Sequence, residues 1–201
     1  MIASIGRFSA ALIAATVLIA TAALPAEAQI GAPDGWRKET FDFPLRFAPG
    51  IPYEGKEYVR FSPQWAHFDQ EDGFSYLFMW DLKTKPFNAD DLEDYLETYF
   101  NGLMINVGRQ RNMADKAKTA SAAAHPLVGI EGWTQTYGVE VRTWNAFSEG
   151  EPLLLYGEVS QRNCGAHMQV FFAMSMAKRD GPIWNILRAA RKATACESTA
   201  P

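Results

Sequence analysis

Residues 88–107 carry the pattern around which the rest of the chain has to be arranged. Leu92, Tyr95, Leu96, Tyr99, Phe100, Leu103, Met104 and Val107 recur at alternating spacings of three and one, which puts them on one face of an α-helix. Asp90, Asp91, Glu93, Asp94, Glu97 and Asn101 fall largely on the other side, predicting a solvated outer face. Asn88 suits the N-cap, because its side-chain oxygen can accept a free backbone N–H of the first turn. Asp91, three residues on, completes a capping box with a shorter acid than usual. The early acids also sit at the positive end of the helix dipole. Gly102 is a weak point in the interior, and Gly108 is the predicted stop, with Arg109 and Arg111 just past the negative end. A stripe with two Tyr and one Phe needs a broad apolar surface, and a β-sheet supplies one.

Strand patterns lie on both sides of this helix. Phe41, Phe43, Leu45 and Phe47 alternate with polar residues and Pro44, predicting an edge or interrupted strand. Tyr58–Phe61 starts a second strand, which Ser62-Pro63 ends or bends. Phe74 to Leu82 is apolar on both alternating faces, so it belongs inside the sheet. After the helix, residues 109–124 are basic, then Ala-rich, and assign themselves to no single element; His125-Pro126 marks a break. Alternation returns over Trp133–Val141, with Trp133, Gln135, Tyr137, Val139 and Val141 facing one way. Strands follow over 153–160 and from Met168 to Met176, joined by turns at Glu149-Gly150 and Asn163-Cys164-Gly165. Short connections make these three an antiparallel meander. Pro182 opens a last helix with Ile183, Ile186, Leu187 and Ala190 as its apolar face and Arg188, Arg191 and Lys192 at its carboxyl end. The predicted fold class is α+β, an antiparallel β-sheet sandwiched by a long central helix and a C-terminal helix.

This order resembles the PsbP-like fold, in which an antiparallel sheet lies between helices. The similarity runs through the early strands Phe41 to Phe61, the aromatic strand Phe74 to Leu82 and the helix Asp90 to Val107. The meander Trp133 to Met176 and the closing helix Ile183 to Ala193 complete it. The resemblance implies an exported accessory or binding protein with no chemistry of its own, and it carries no motif residue across.

The amino terminus reads as an export signal. Arg7 precedes the almost wholly apolar run Ala10 to Ala20, and Ala26-Glu27-Ala28 supplies a small-x-small site, so cleavage is predicted after Ala28. The apolar run is too short for a comfortable membrane span, and no later segment is apolar enough for one. Residues 29–38 bear Gly and Pro and are expected to form a flexible leader. Residues 39–197 are expected to form one domain and 198–201 a tail. A net charge of −4 argues against nucleic acid and an anionic membrane as partners. The two cysteines, Cys164 and Cys196, are expected to pair in an oxidising compartment; the alternative is two separate buried thiols.

No catalytic motif stands out. His67 and Asp69, two apart, would share a face if they lay on a strand, as a base pair or as two metal ligands, but zinc needs partners that the sequence does not show. Cys164 and His167 could be a nucleophile and its base only if Cys164 is not bridged. Ser175-Met176-Ala177-Lys178 matches Ser-x-x-Lys without the companion motifs of penicillin-recognising enzymes. Trp65, Trp80, Trp133 and Trp144 are candidates for an apolar or sugar-binding groove, Trp144 being the one expected to be exposed. The candidate ligand-binding residues are therefore His67, Asp69, Trp144 and His167, with no metal site and no cofactor. The leading expectation is a non-catalytic, exported binding or accessory protein, with an envelope protein as its partner. The alternatives are an exported hydrolase using His67 or His167, and a small-ligand carrier with an aromatic pocket.

Overall fold

A computed structural model of the protein describes residues 30–196; the predicted signal segment and the tail from 198 on lie outside them. The strands are β1 (Arg37–Phe43), β2 (Gly55–Phe61), β3 (Tyr76–Leu82), β4 (Ser121–Pro126), β5 (Gln135–Trp144), β6 (Pro152–Cys164) and β7 (His167–Ser175). The helices are α1 (Ala89–Gln110), between β3 and β4, and α2 (Ile183–Ala193) at the end. The strands form one seven-stranded antiparallel sheet in the order β1-β2-β3-β7-β6-β5-β4. Two meanders, β1–β3 and β4–β7, meet where β3 pairs with β7. The fold is α+β, as the sequence predicts.

β3 is an interior strand because both of its faces are apolar. Tyr76, Phe78, Trp80 and Leu82 belong to the core beneath α1, and Leu77 and Met79 to the core beneath α2. On the α1 side Phe78 stacks on Phe172 of β7, with ring centroids 4.2 Å apart, and on Tyr99 of α1 at 5.1 Å. Aromatic pairs of this kind contribute about 0.5–1.5 kcal/mol each beyond their buried area. α1 presents Leu92, Leu96, Tyr99, Phe100 and Met104 to this core. Its N-terminus is built as predicted: Asn88 Oδ1 accepts from Asp91 N at 2.9 Å, and Asp91 Oδ2 accepts from Asn88 N at 3.0 Å.

Three features of α1 depart from the sequence reading. The helix runs through Gly108 to Gln110. Gly108 is required there because the Trp144 ring packs where a Cβ would stand. Gly102 has the same kind of cause, since the Phe47 carbonyl crosses the helix at that point. The acidic side is not simply solvated. Glu93 Oε1, Glu97 Oε1 and Asn101 Oδ1, one turn apart, accept from the backbone N–H groups of Ala124 (2.7 Å), Ala122 (3.0 Å) and Ala120 (2.7 Å). These three side chains satisfy the outward donors of β4 and of the residue just before it, and β4 is the last strand of the sheet. An open edge strand would otherwise offer those donors to another chain. This pairing accounts for the Ala-rich stretch, which has no apolar periodicity, being a strand, while His125 and Pro126 at its end are paired with Gly138 and Tyr137 of β5.

On the other face α2 packs through Ile183, Trp184, Leu187 and Ala190. Trp184 is fully buried, with its Nε1 donating to the Ala177 carbonyl at 2.9 Å, whereas Ile186, expected on the apolar face, is exposed. Trp133 precedes β5 and packs against Phe171 on this side, opposite Tyr137, Val139 and Val141. Residues 30–36 are not a loose leader. Ile30 and Trp36 are buried in the α2 core, and Gly31 N donates to Thr194 Oγ1 at 3.1 Å. Their apolar side chains cover α2, which the Gly and Pro content of the segment concealed. Cys164 and Cys196 form a disulfide that ties the start of the β6–β7 turn to the chain just after α2.

Candidate functional site

Strand alternation brings Phe41, Glu57 and Trp80 into one cross-strand row on the α1 face, since Glu57 pairs with Phe41 of β1 and with Trp80 of β2's other neighbour, β3. A glutamate in such a row is out of place among apolar side chains, and it is fully buried. Glu57 Oε1 accepts from Trp80 Nε1 at 3.1 Å, while Oε2 has no hydrogen-bond partner. The Tyr76 hydroxyl and Trp65 Nε1 are likewise buried without partners.

These groups line a cavity of about 250 Å³ between β1–β3 and α1. Val59, Tyr76 and Tyr99 form its buried part. Phe61 and Trp65 wall one side, Leu103 and Val107 come from the helix, and Phe147 from the turn after β5. Exposed Arg37 and Phe41 and half-buried Glu39 of the edge strand stand at its mouth. The Arg37 guanidinium lies 4.3 Å from the Phe61 ring centroid and 5.5 Å from that of Trp65, and 3.5 Å from the Glu39 carboxylate.

Burial governs the electrostatics. It pushes the Glu57 carboxyl from its ordinary value up to about 7, the Trp80 hydrogen bond and the nearby Tyr99 hydroxyl pull the other way, and the Glu39 charge adds to the rise. Tyr76 and Tyr99 are pushed well above the ordinary phenol range, by burial first and by the Glu57 charge second. Because Glu57 binds its proton more tightly folded than unfolded, its stabilising contribution is complete at pH below the unfolded value of 4.5 and is lost as pH rises through about 7. The loss amounts to roughly 3 kcal/mol in all. Glu57→Gln keeps an acceptor for Trp80 and has nothing to ionise. Urea unfolding at pH 5 and pH 8 is therefore expected to show E57Q gaining on the wild type by roughly 2 kcal/mol at the higher pH. Equal pH slopes for the two proteins would contradict the burial argument.

The residues singled out from sequence do not gather at this cavity. His67 and Asp69 are exposed and lie in a run of turns between β2 and β3, with Gln70 N bonded to the His67 carbonyl, so the strand that would have aligned them is absent. Trp144 is fully buried, a correction to its expected exposure. At the end of β5 its ring lies against Gly108, in the space that the missing Cβ leaves. His167 Nδ1 is 3.0 Å from Asp81 Oδ1, an acid–base pair, but the neighbouring Cys164 is bridged and is no nucleophile. No group of three or more His, Cys, Asp or Glu among the described residues is arranged to hold a metal ion. Of the four tryptophans read as groove candidates, Trp65 lines the cavity and Trp80 supports Glu57. No sequence pattern singles out Glu57. Its one sequence signal is an acid placed between Lys56 and Tyr58 in a segment that alternates, and the inward register became legible only from Val59 and Phe61 on.

A larger groove of about 560 Å³ beside Trp133 is lined by Ile130, Glu131, Arg188, Arg191 and Lys192. Two of its cations are already held by Glu158: Arg188 Nη2 donates at 2.6 Å and Arg191 Nη1 at 2.7 Å. Burial works to raise the Glu158 pKa, but the two arginines outweigh it and hold the carboxyl below its ordinary value. Both arginines of that groove are taken up by Glu158, whereas the Glu57 cavity holds buried polar atoms with nothing to bind. Compared with protein-family models, with curated proteins and with solved structures, the chain matches none.

Proposed function

We propose that this chain is an exported, non-catalytic binding protein that holds a small, mainly apolar molecule in the cavity between α1 and β1–β3. The observation that carries this reading is the pair of buried, unpartnered polar atoms, Glu57 Oε2 and the Tyr76 hydroxyl, inside an aromatic-walled cavity. Leaving a buried polar group unsatisfied costs about 1–3 kcal/mol, and a ligand that supplies the missing bonds recovers it. A mostly apolar cavity with a few convergent polar groups is the usual form of a small-molecule site. Export is supported by the Cys164–Cys196 disulfide, since such bridges persist in oxidising compartments. Among the described residues no helix is long and apolar enough to cross a membrane. An accessory role, which the PsbP-like resemblance implies, and an envelope protein as partner both leave room for a carried ligand.

Val59→Phe tests the cavity by filling it. Titrating wild-type protein with 2-phenylethanol is expected to change tryptophan emission saturably and to raise the melting temperature, because a ligand bound only to the folded state stabilises it by mass action. V59F is expected to keep the fold by circular dichroism and to lose both responses. A V59F protein that binds as well as the wild type would place the ligand elsewhere.

A further inference from the structure

We propose that the cavity selects an organic ammonium, a small amine whose apolar body fills the aromatic space and whose cation rests on Glu57. The proposal deepens the binding function above and rests on it.

The wall and the deep end of the cavity ask for the same charge. Glu57 is completely buried, Trp80 satisfies one of its oxygens, and the other has no hydrogen-bond partner. Among the described residues no salt bridge joins Glu57 to a cation. The walls are ring faces, and an aromatic face is negative, so it attracts a cation within about 6 Å of its centroid. The protein already uses these faces in that way at the mouth, where Arg37 lies over Phe61 and Trp65. Arg37 is directed to Glu39, however, and leaves Glu57 unpaired.

The alternatives fit less well. A carboxylate ligand would bring its charge against both Glu57 and Glu39. A neutral hydroxyl would satisfy Glu57 Oε2 but gain nothing from the ring faces. A primary ammonium has three donors: one for Glu57 Oε2, one for the Tyr76 oxygen, and the remaining positive charge lies against the rings. Pairing would also favour the ionised form of Glu57, which burial opposes in the empty cavity. The titratable and charged groups that face Glu57 are Glu39 and Arg37 on β1, Tyr76 on β3 and Tyr99 on α1. Both tyrosines stay neutral over the working range, so the pH dependence of binding belongs to Glu57.

The test is isothermal titration of the purified protein with 2-phenylethylamine, 2-phenylethanol and phenylacetate, three probes of nearly one shape. At pH 8 the amine is expected to bind at least about tenfold tighter than the alcohol, with phenylacetate weakest. Amine affinity is expected to rise about tenfold or more from pH 5 to pH 8 as Glu57 ionises. E57Q is expected to bring the amine down to the level of the alcohol measured on the same variant, erasing the preference for the cation. Tyr76→Phe, which keeps the ring and removes one acceptor, is expected to weaken the amine several-fold. If the alcohol binds as tightly as the amine, or E57Q leaves amine affinity intact, the ammonium proposal is wrong and the cavity remains a binding site. If none of the three binds, the proposal and the binding function fall together.

Discussion

Glu158→Ala is expected to destabilise the protein by about 3–5 kcal/mol, because it strands a buried guanidinium. Arg191 is 7 % exposed and Glu158 6 %, and their contact at 2.7 Å joins β6 to α2 across the second core. Arg188 is 40 % exposed and shares the carboxylate at 2.6 Å. Solvent screening discounts its contribution, so Arg188→Ala is expected to cost about 1 kcal/mol or less. The urea midpoint should fall sharply for E158A and little for R188A, with the denaturant slope unchanged in both. Similar losses for the two variants would mean that Glu158 behaves as a surface acid. The pH dependence runs opposite to that of Glu57. The Glu158 pKa is lowered on folding, so its contribution is present above the unfolded value of 4.5 and lost as pH falls through the folded one. Two buried glutamates on opposite faces of one sheet thus narrow the stable range from both ends.

The second large effect concerns the disulfide. Cys164 and Cys196 are 32 residues apart in sequence, and the loop they close contains β7 and α2. Closing a loop of that size removes unfolded-state entropy worth about 4 kcal/mol in the chain-entropy account. The double variant Cys164→Ser/Cys196→Ser is expected to lose about that much stability, and α2 is expected to become the first site of proteolysis. Trp184 argues against a total loss of α2, since its buried ring and its bond to Ala177 hold the helix independently of the bridge. Unfolding curves with and without reductant measure the effect. A shift of less than about 1 kcal/mol would show that packing alone secures the carboxyl end.

The elements were legible where the signal was local. The spacing from Leu92 to Val107 defined α1, and the Asn88–Asp91 capping box formed as read. The two apolar faces of Phe74 to Leu82 located an interior strand. Local patterns mislead where a residue's surroundings come from far along the chain. Trp144 was read from its polar neighbours in sequence, but Gly108 determines where its ring goes. Gly108 was read as a helix stop, but Trp144 is the reason for it. The acids of α1 were read as solvated because their partners, the N–H groups of Ala120, Ala122 and Ala124, belong to a stretch with no apolar alternation. His67, Asp69 and His167 attracted notice as residue types that do chemistry, and none of them lines the cavity.

By itself the sequence determined the helix and its cap, the alternation of the strands, the α+β class and the two cysteines available to pair. All of these follow from short-range periodicity or from counting. The tertiary structure alone decided that Glu57 is buried with an unpartnered oxygen, that Glu158 is buried between two arginines, and that a cavity lies over the first of them. Periodicity assigns a side chain to a face, but its charge state and its partners depend on what the other elements bring to that face. For Glu57 those are Trp80 and Tyr99, and for Glu158 they are Arg188 and Arg191. Their distance along the chain is why no local pattern announced either site.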